Sequence, residues 1–326
     1  MGLHDRILRL VQEHNEYGYN GLLKSMPLSL CKVIDREATN DSFAAVASKE
    51  ILTLLESYNG GYTEQLKTAF DMFVECSIYL ELKQKGVKVA RVPEAPEESK
   101  PDFHVTDAED LYFEAKALGW ARGRENYDSA MDSGMAAQID IQEQIESGKT
   151  VASAISEIAP LGYSEASFDC PPKYFIEAVV NKLRQNIKAK QFALGPTFLI
   201  CDLTSLLHPS NPVESSVAAY REQQYCSICS GELWNIAFGT VGAPVFRQIE
   251  FEGKENICGA LSVDGILIEN EFVKGILFRT RSLGDEIQYV ALIRSADFDA
   301  YGNLLTKICN FVNDERNSCA FELEHE

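Results

Sequence analysis

Pro101-Asp102-Phe103-His104-Val105 and, a few residues on, Leu111-Tyr112-Phe113-Glu114-Ala115-Lys116-Ala117-Leu118 are the stretch on which the reading of this chain turns. DFHV (102–105) predicts a short strand, the polar residues Thr106–Asp110 a turn, and LYFEAKAL (111–118) a strand whose aromatic and apolar content suits the middle of a sheet. Side chains alternate along a strand, so Glu114 and Lys116 share a face and Ala115 points away, its carbonyl still available as a ligand. Antiparallel pairing about a turn near 107–109 brings Asp102 beside Glu114 through Lys116. A glutamate and a lysine in a strand otherwise buried on both sides call for a reason. The ordinary alternatives are a strand-capping aspartate and an exposed ion pair.

Working outward, EQLKTAFDMFVECSIYLELKQK predicts a long helix over about 64–85, stopped by Gly86. VKVARV (87–92) alternates as a strand, and PEAPEESK is a loop. After the hairpin comes a polar, acidic insertion, about 119–172, with a helix near 128–147 and an end at Pro171-Pro172. KYFIEAVVNKLRQNIKAKQFAL (173–194) reads as one long basic helix, broken by Gly195-Pro196. TFLICDL (197–203) is then a fully buried strand that belongs in the middle of the sheet. The order helix, strand, hairpin, helix, strand gives an α/β layered domain with a mixed sheet and helices on its faces.

Both ends of the chain differ from this core. Residues 1–62 read as an all-helical extension: LHDRILRLVQEH and SFAAVASKEILTLLESY carry helical spacing, with Asp41 or Ser42 as N-cap and Tyr58-Asn59-Gly60-Gly61 as the stop. Residues 204–326 read as strand-rich (VFRQIEF, ICGALSVDGILIE, VKGILFRT, IQYVALIR) with a last helix at about 299–314 and an acidic tail. They either form a region of their own or continue the sheet of the 63–203 core.

Two carboxylates and a lysine on one sheet face suit phosphodiester hydrolysis. The scissile phosphate is anionic, water is a weak nucleophile and the leaving group departs as an alkoxide, and Mg²⁺ addresses all three. Mg²⁺ takes one or two carboxylates and fills its octahedron with water and phosphate oxygens. A lysine beside it stabilises developing charge or positions water.

Pro101-Asp102 followed by Glu114-Ala115-Lys116 resembles the signature of the PD-(D/E)xK, or restriction-endonuclease-like, nuclease superfamily, and the flanking elements over 64–203 resemble its core. The resemblance implies a Mg²⁺-dependent nuclease, with Mn²⁺ as substitute, in which Asp102 and Glu114 bind metal and Lys116 assists attack. It also implies an acidic residue from the preceding helix, for which Glu75 is the best match and Glu81 the second, and a Lys or Gln from the following helix, matched by Lys188, Lys190 and Gln191. By analogy it points to DNA in preference to RNA, and to restriction, anti-phage defence or repair.

Lys and Arg total 30 against 49 Asp and Glu, a formal net charge of −19. Nucleic-acid binders usually carry a basic footprint, so the placement of the cations matters. They gather around the motif: Lys83, Lys85, Lys88 and Arg91 before it, Arg122 and Arg124 after it, and Lys173, Lys182, Arg184, Lys188 and Lys190 on the next helix. Such a local excess can guide a phosphate backbone. The acidic whole points to a second copy or a protein partner subunit, or to a catalytically silent interaction module in the same fold. Nine scattered cysteines fit buried or free thiols in a reducing compartment. Cys226-Ser-Ile-Cys229, with His208 or Cys201, is at most half a structural zinc site, and zinc is not expected. No apolar run spans a membrane and no signal peptide is legible, so the expected setting is cytoplasmic, without a membrane partner. Nucleotide-binding glycine fingerprints and a serine-nucleophile elbow are absent.

Overall fold

A helix begins with N–H groups that have no partner inside it, and Asp41 supplies one: its carboxylate accepts from Phe43 N and Ala44 N at the start of α4 (Ser42–Glu56). The computed structural model describes residues 1–13, 21–93, 99–107, 111–120, 124–156, 161, 169–206, 208–209, 211–217, 231–247, 256–281 and 286–316. It divides into two units, one of Met1–Leu80 with Gly119–Gly162 and one of Glu81–Leu118 with Tyr163–Glu326.

The first unit is helical. α1 (Leu3–Glu13), α2 (Gly21–Lys24), α3 (Leu28–Glu37) and α4 pack around Leu3, Ile7, Leu10, Ile34, Ile51 and Leu55, all buried. Among the described residues its remaining helices are most of α5 (Glu64–Gln84) and α6 (Arg124–Glu146). The boundary therefore falls inside α5 and not at Gly60-Gly61. From Phe73 to Leu82 every residue of α5 but the half-buried Glu75 is buried, so no exposed polar stripe marks where the unit ends. Gly86, at φ 78°, turns the chain and lets Val87 N donate to Leu82 O.

The second unit holds a mixed seven-stranded sheet flanked by helices, in the order β1-β2-β3-β4-β7-β8-β9. Its strands are β1 (Val89–Arg91), β2 (Phe103–Val105), β3 (Leu111–Ala117), β4 (Thr197–Asp202), β7 (Val273–Arg281), β8 (Ile287–Ile293) and β9 (Phe311–Asp314). β1, β2 and β3 form the expected antiparallel hairpin and its neighbour, while β3, β4 and β7 run parallel. β4 is the central strand, buried at every residue. The C-terminal region, strand-rich as expected, continues this sheet through β7, β8 and β9. β5 (Pro244–Phe246) and β6 (Ile257–Ala260) pair separately.

Three expectations change. The basic helix read over 173–194 is α7 (Pro171–Asn186): Ile187 and Lys188 are extended, and a short 3₁₀ turn, η1 (Ala189–Phe192), follows. ICGALSVDGILIE is not one strand, because its second half folds as α10 (Ile266–Glu269), after the short helices α8 (Pro212–Ser215) and α9 (Glu232–Phe238). The last helix is α11 (Ser295–Ile308), and its expected end is β9, parallel to β8.

Candidate functional site

Register fixes which side chains share a face. Phe103 opposes Phe113, so in the continued pairing Asp102 faces Glu114 and Pro101 faces Ala115. Proline has no N–H, and the ladder stops there. The Ala115 N–H is taken instead by the Asp102 carboxylate, 2.7 Å from Oδ2, while the Asp102 carbonyl accepts from Val92 N. The Pro-Asp pair thus ends one strand and fixes an acid against the next.

Glu114 is 1% exposed, and its Oε1 carries two donors: Lys116 Nζ at 2.5 Å and Gln191 Nε2 at 2.5 Å. Gln191 is buried, and its own Oε1 accepts from Lys188 N at 3.0 Å. This closing of η1 depends on the chain breaking at Ile187–Lys188. Asp102, Glu114, Lys116 and Gln191 are therefore brought together on one sheet face. Cys201 opposes Lys116 on β4. Burial pushes its thiol well above the ordinary value, so it is no ready nucleophile.

The other acidic candidates lie elsewhere. Glu75 is on the part of α5 that belongs to the first unit. Glu81 belongs to the second unit, but on the opposite sheet face, and its candidacy is overturned. It is bound by Arg279 Nε and Nη2 at 2.9 and 2.6 Å and by Tyr289 Oη at 2.5 Å. Asp202 and Thr204 complete this network, with Arg279 Nη1 on Asp202 at 2.6 Å and Thr204 Oγ1 on Asp202 at 2.8 Å. Arg279, opposite both Asp202 and Tyr289 in the ladder, has the parity of Ala115 and Ala117 and not of Glu114. Burial acts to lower the Arg279 pKa, but Glu81 and Asp202 outweigh it and keep the guanidinium charged. Burial raises the Asp202 carboxyl above its usual value against the pull of Arg279 and Thr204. Sequence reasoning missed this cluster, because its members pair across up to 208 positions.

The chain matches no family model, no curated protein and no solved structure.

Among the cations, Arg184 is engaged by Glu269 at 2.5 Å and the Asp264 carbonyl at 2.9 Å. Lys173 pairs with Glu177, and Lys182 is half-buried with its charge felt at Cys201. Lys188 and Lys190 are exposed. Arg124 opens α6 in the first unit, and Arg122, like the Cys226–Cys229 pair, lies outside the described residues. The reading of the cysteines as buried or free thiols is corrected at one point: Cys170, at the start of α7, is bonded to Cys258 of β6. Cys31, Cys76, Cys201 and Cys309 are buried and take part in no disulfide. No described helix is long and apolar enough to cross a membrane.

The donor set can be weighed against a metal. Among the described residues no three His, Cys, Asp or Glu side chains form a metal-holding group. Two carboxylates are what Mg²⁺ commonly takes from a protein, the rest being water and phosphate. Asp102 and Glu114, facing each other across β2 and β3, fit that smaller demand.

Proposed function

We propose that this chain is a metal-dependent nuclease with a restriction-endonuclease-like core, hydrolysing phosphodiester bonds in DNA in preference to RNA. The observation that carries the reading is the convergence of Asp102, Glu114, Lys116 and Gln191 at one end of the β2–β3 hairpin. Asp102 and Glu114 would hold Mg²⁺ or Mn²⁺, which when bound neutralises phosphate charge and acidifies water. Asp102 is oriented by the Ala115 N–H, and Glu114 by Gln191. Lys116 balances the buried Glu114 charge, and its ammonium would stabilise charge on phosphate oxygens. A second copy or partner subunit would add the positive surface that a net charge of −19 lacks. Restriction, antiviral defence and repair are settings that rest on the resemblance alone.

The test is cleavage of single- and double-stranded DNA and RNA with Mg²⁺ or Mn²⁺. We expect Lys116→Ala and Asp102→Ala to lower the rate at least a hundredfold while each retains a cooperative melt. Equal rates in parent and variants would refute the reading.

A second reading, a silent interaction module, is favoured by the satisfaction of Glu114 from within by Lys116 and Gln191, and by the acidic charge. It requires that Mg²⁺ and Mn²⁺ leave the melting temperature unchanged.

A further inference from the structure

One step along the strands from Asp102 and Glu114, on the same face, His104 opposes Tyr112. Their rings are stacked, with centroids 4.8 Å apart and planes 27° from parallel. Both residues are half-buried, so the pair is neither core nor loose surface. The row continues to Ala90, which opposes His104 on the edge strand β1. Two residues of strand separate the pair from the carboxylates, about 7 Å, which is the scale of one nucleotide. His104 Nε2 is buried and meets no hydrogen-bond partner among the described residues.

Charge supplies the second half of the argument. Duplex binding without base contacts draws its affinity from cations that displace counterions along the backbone. Here Lys116, Lys173 and Arg184 are already matched to Glu114, Glu177 and Glu269, on a chain of net charge −19. Stacking needs no net charge, and each base laid on an aromatic side chain strengthens binding by an amount that sequence hardly alters.

We propose that His104 and Tyr112 form a base-stacking platform and that the site takes a single-stranded or unpaired nucleic-acid segment, with an unstacked base on the platform and the adjoining phosphodiester at Asp102 and Glu114. A paired base inside a duplex cannot present its face to these rings. The inference rests on the nuclease reading for which bond is cut; binding alone tests the platform.

The experiment measures anisotropy of labelled oligonucleotides of about twelve nucleotides in EDTA, with the full chain. Single strands are expected to bind at least tenfold more tightly than a blunt duplex, with a salt dependence shallower than one phosphate contact per nucleotide would give. Tyr112→Val, which keeps strand propensity, is expected to lose about tenfold for single strands, and Tyr112→Phe to bind as the parent does. A strand of abasic sites with the same phosphates is expected to bind the parent about tenfold more weakly, an arm that needs no variant to fold. Equal binding of abasic and normal strands, a preference for duplex, full affinity in a folded Tyr112→Val, or no binding of any strand would each overturn the platform. Stacking-dependent binding without cleavage in Mg²⁺ or Mn²⁺ would instead sink the nuclease reading and leave the platform standing. Cleavage of duplex without single-strand preference would do the reverse.

Discussion

Gln191 is held at both ends of its amide, by Lys188 N on the oxygen and by Glu114 on the nitrogen. Its neighbour Phe192 is anchored against Phe272, ring centroids 5.2 Å apart. Removing a bond to a buried charge costs about 1–3 kcal/mol, so Gln191→Ala should lower thermal stability by that order and slow cleavage by loosening Glu114. Gln191→Glu would set a second carboxylate at the same oxygen, and a larger loss of melting temperature is expected, one that acidic buffer partly recovers. Asp102, Glu114 and Lys116 were legible because strand alternation and a short turn dictate which side chains meet. The bond from Gln191 was only half legible: its residue type stood out, but the break that aims it contains neither Gly nor Pro.

Among the elements, those with local signals were readable. Asp41 caps α4 and also accepts from Tyr79 Oη at 2.9 Å. Asp41→Ala should therefore cost about 1 kcal/mol for the cap and more for the lost tyrosine contact, whereas Asp41→Asn should cost less; chemical denaturation separates them. β9 was hidden because Asn313 and Asp314 are buried polar residues, made tolerable by Asn313 Nδ2 donating to Ser216 O and by Arg316 on Asp314. α10 was taken as strand because four apolar-rich residues carry no period that separates helix from strand. The Glu81–Arg279–Asp202 network ties α5 to β4 and β7, and no local pattern announces it. Arg279→Met leaves two buried carboxylates without their cation and should cost about 3–5 kcal/mol. The triple change with Glu81→Gln and Asp202→Asn should recover much of that in denaturant melts, and failure to recover would mean that packing, not charge, dominates.

Over the whole molecule, alkaline pH offers a test of the helical unit. Burial pushes the Cys31 thiol from 9.0 to about 12 and, helped by Asp71 and Glu64, the Tyr62 hydroxyl from 10.0 to about 12. Both pKa values are raised in the folded state, so their stabilisation is complete below the unfolded values and is lost as pH rises toward 12. Melting temperature should hold to about pH 9 and then fall, Cys31 contributing about 1.4 kcal/mol per pH unit. Cys31→Ala should flatten the first part of that fall, and an unchanged profile would count against a buried thiol.

The interleaving of the two units also bears on how the protein is made. A ribosome delivers β1, β2 and β3 with Asp102, Glu114 and Lys116, then about 80 residues before β4 arrives and far more before β9. By residue 162 the helical unit has all its segments, while the nascent β3 still offers an open apolar edge to any passing strand. Vectorial synthesis thus leaves LYFEAKA waiting longest for its neighbour. Translation pauses placed before Thr197 should raise aggregation of the newborn chain more than pauses placed before Gly119.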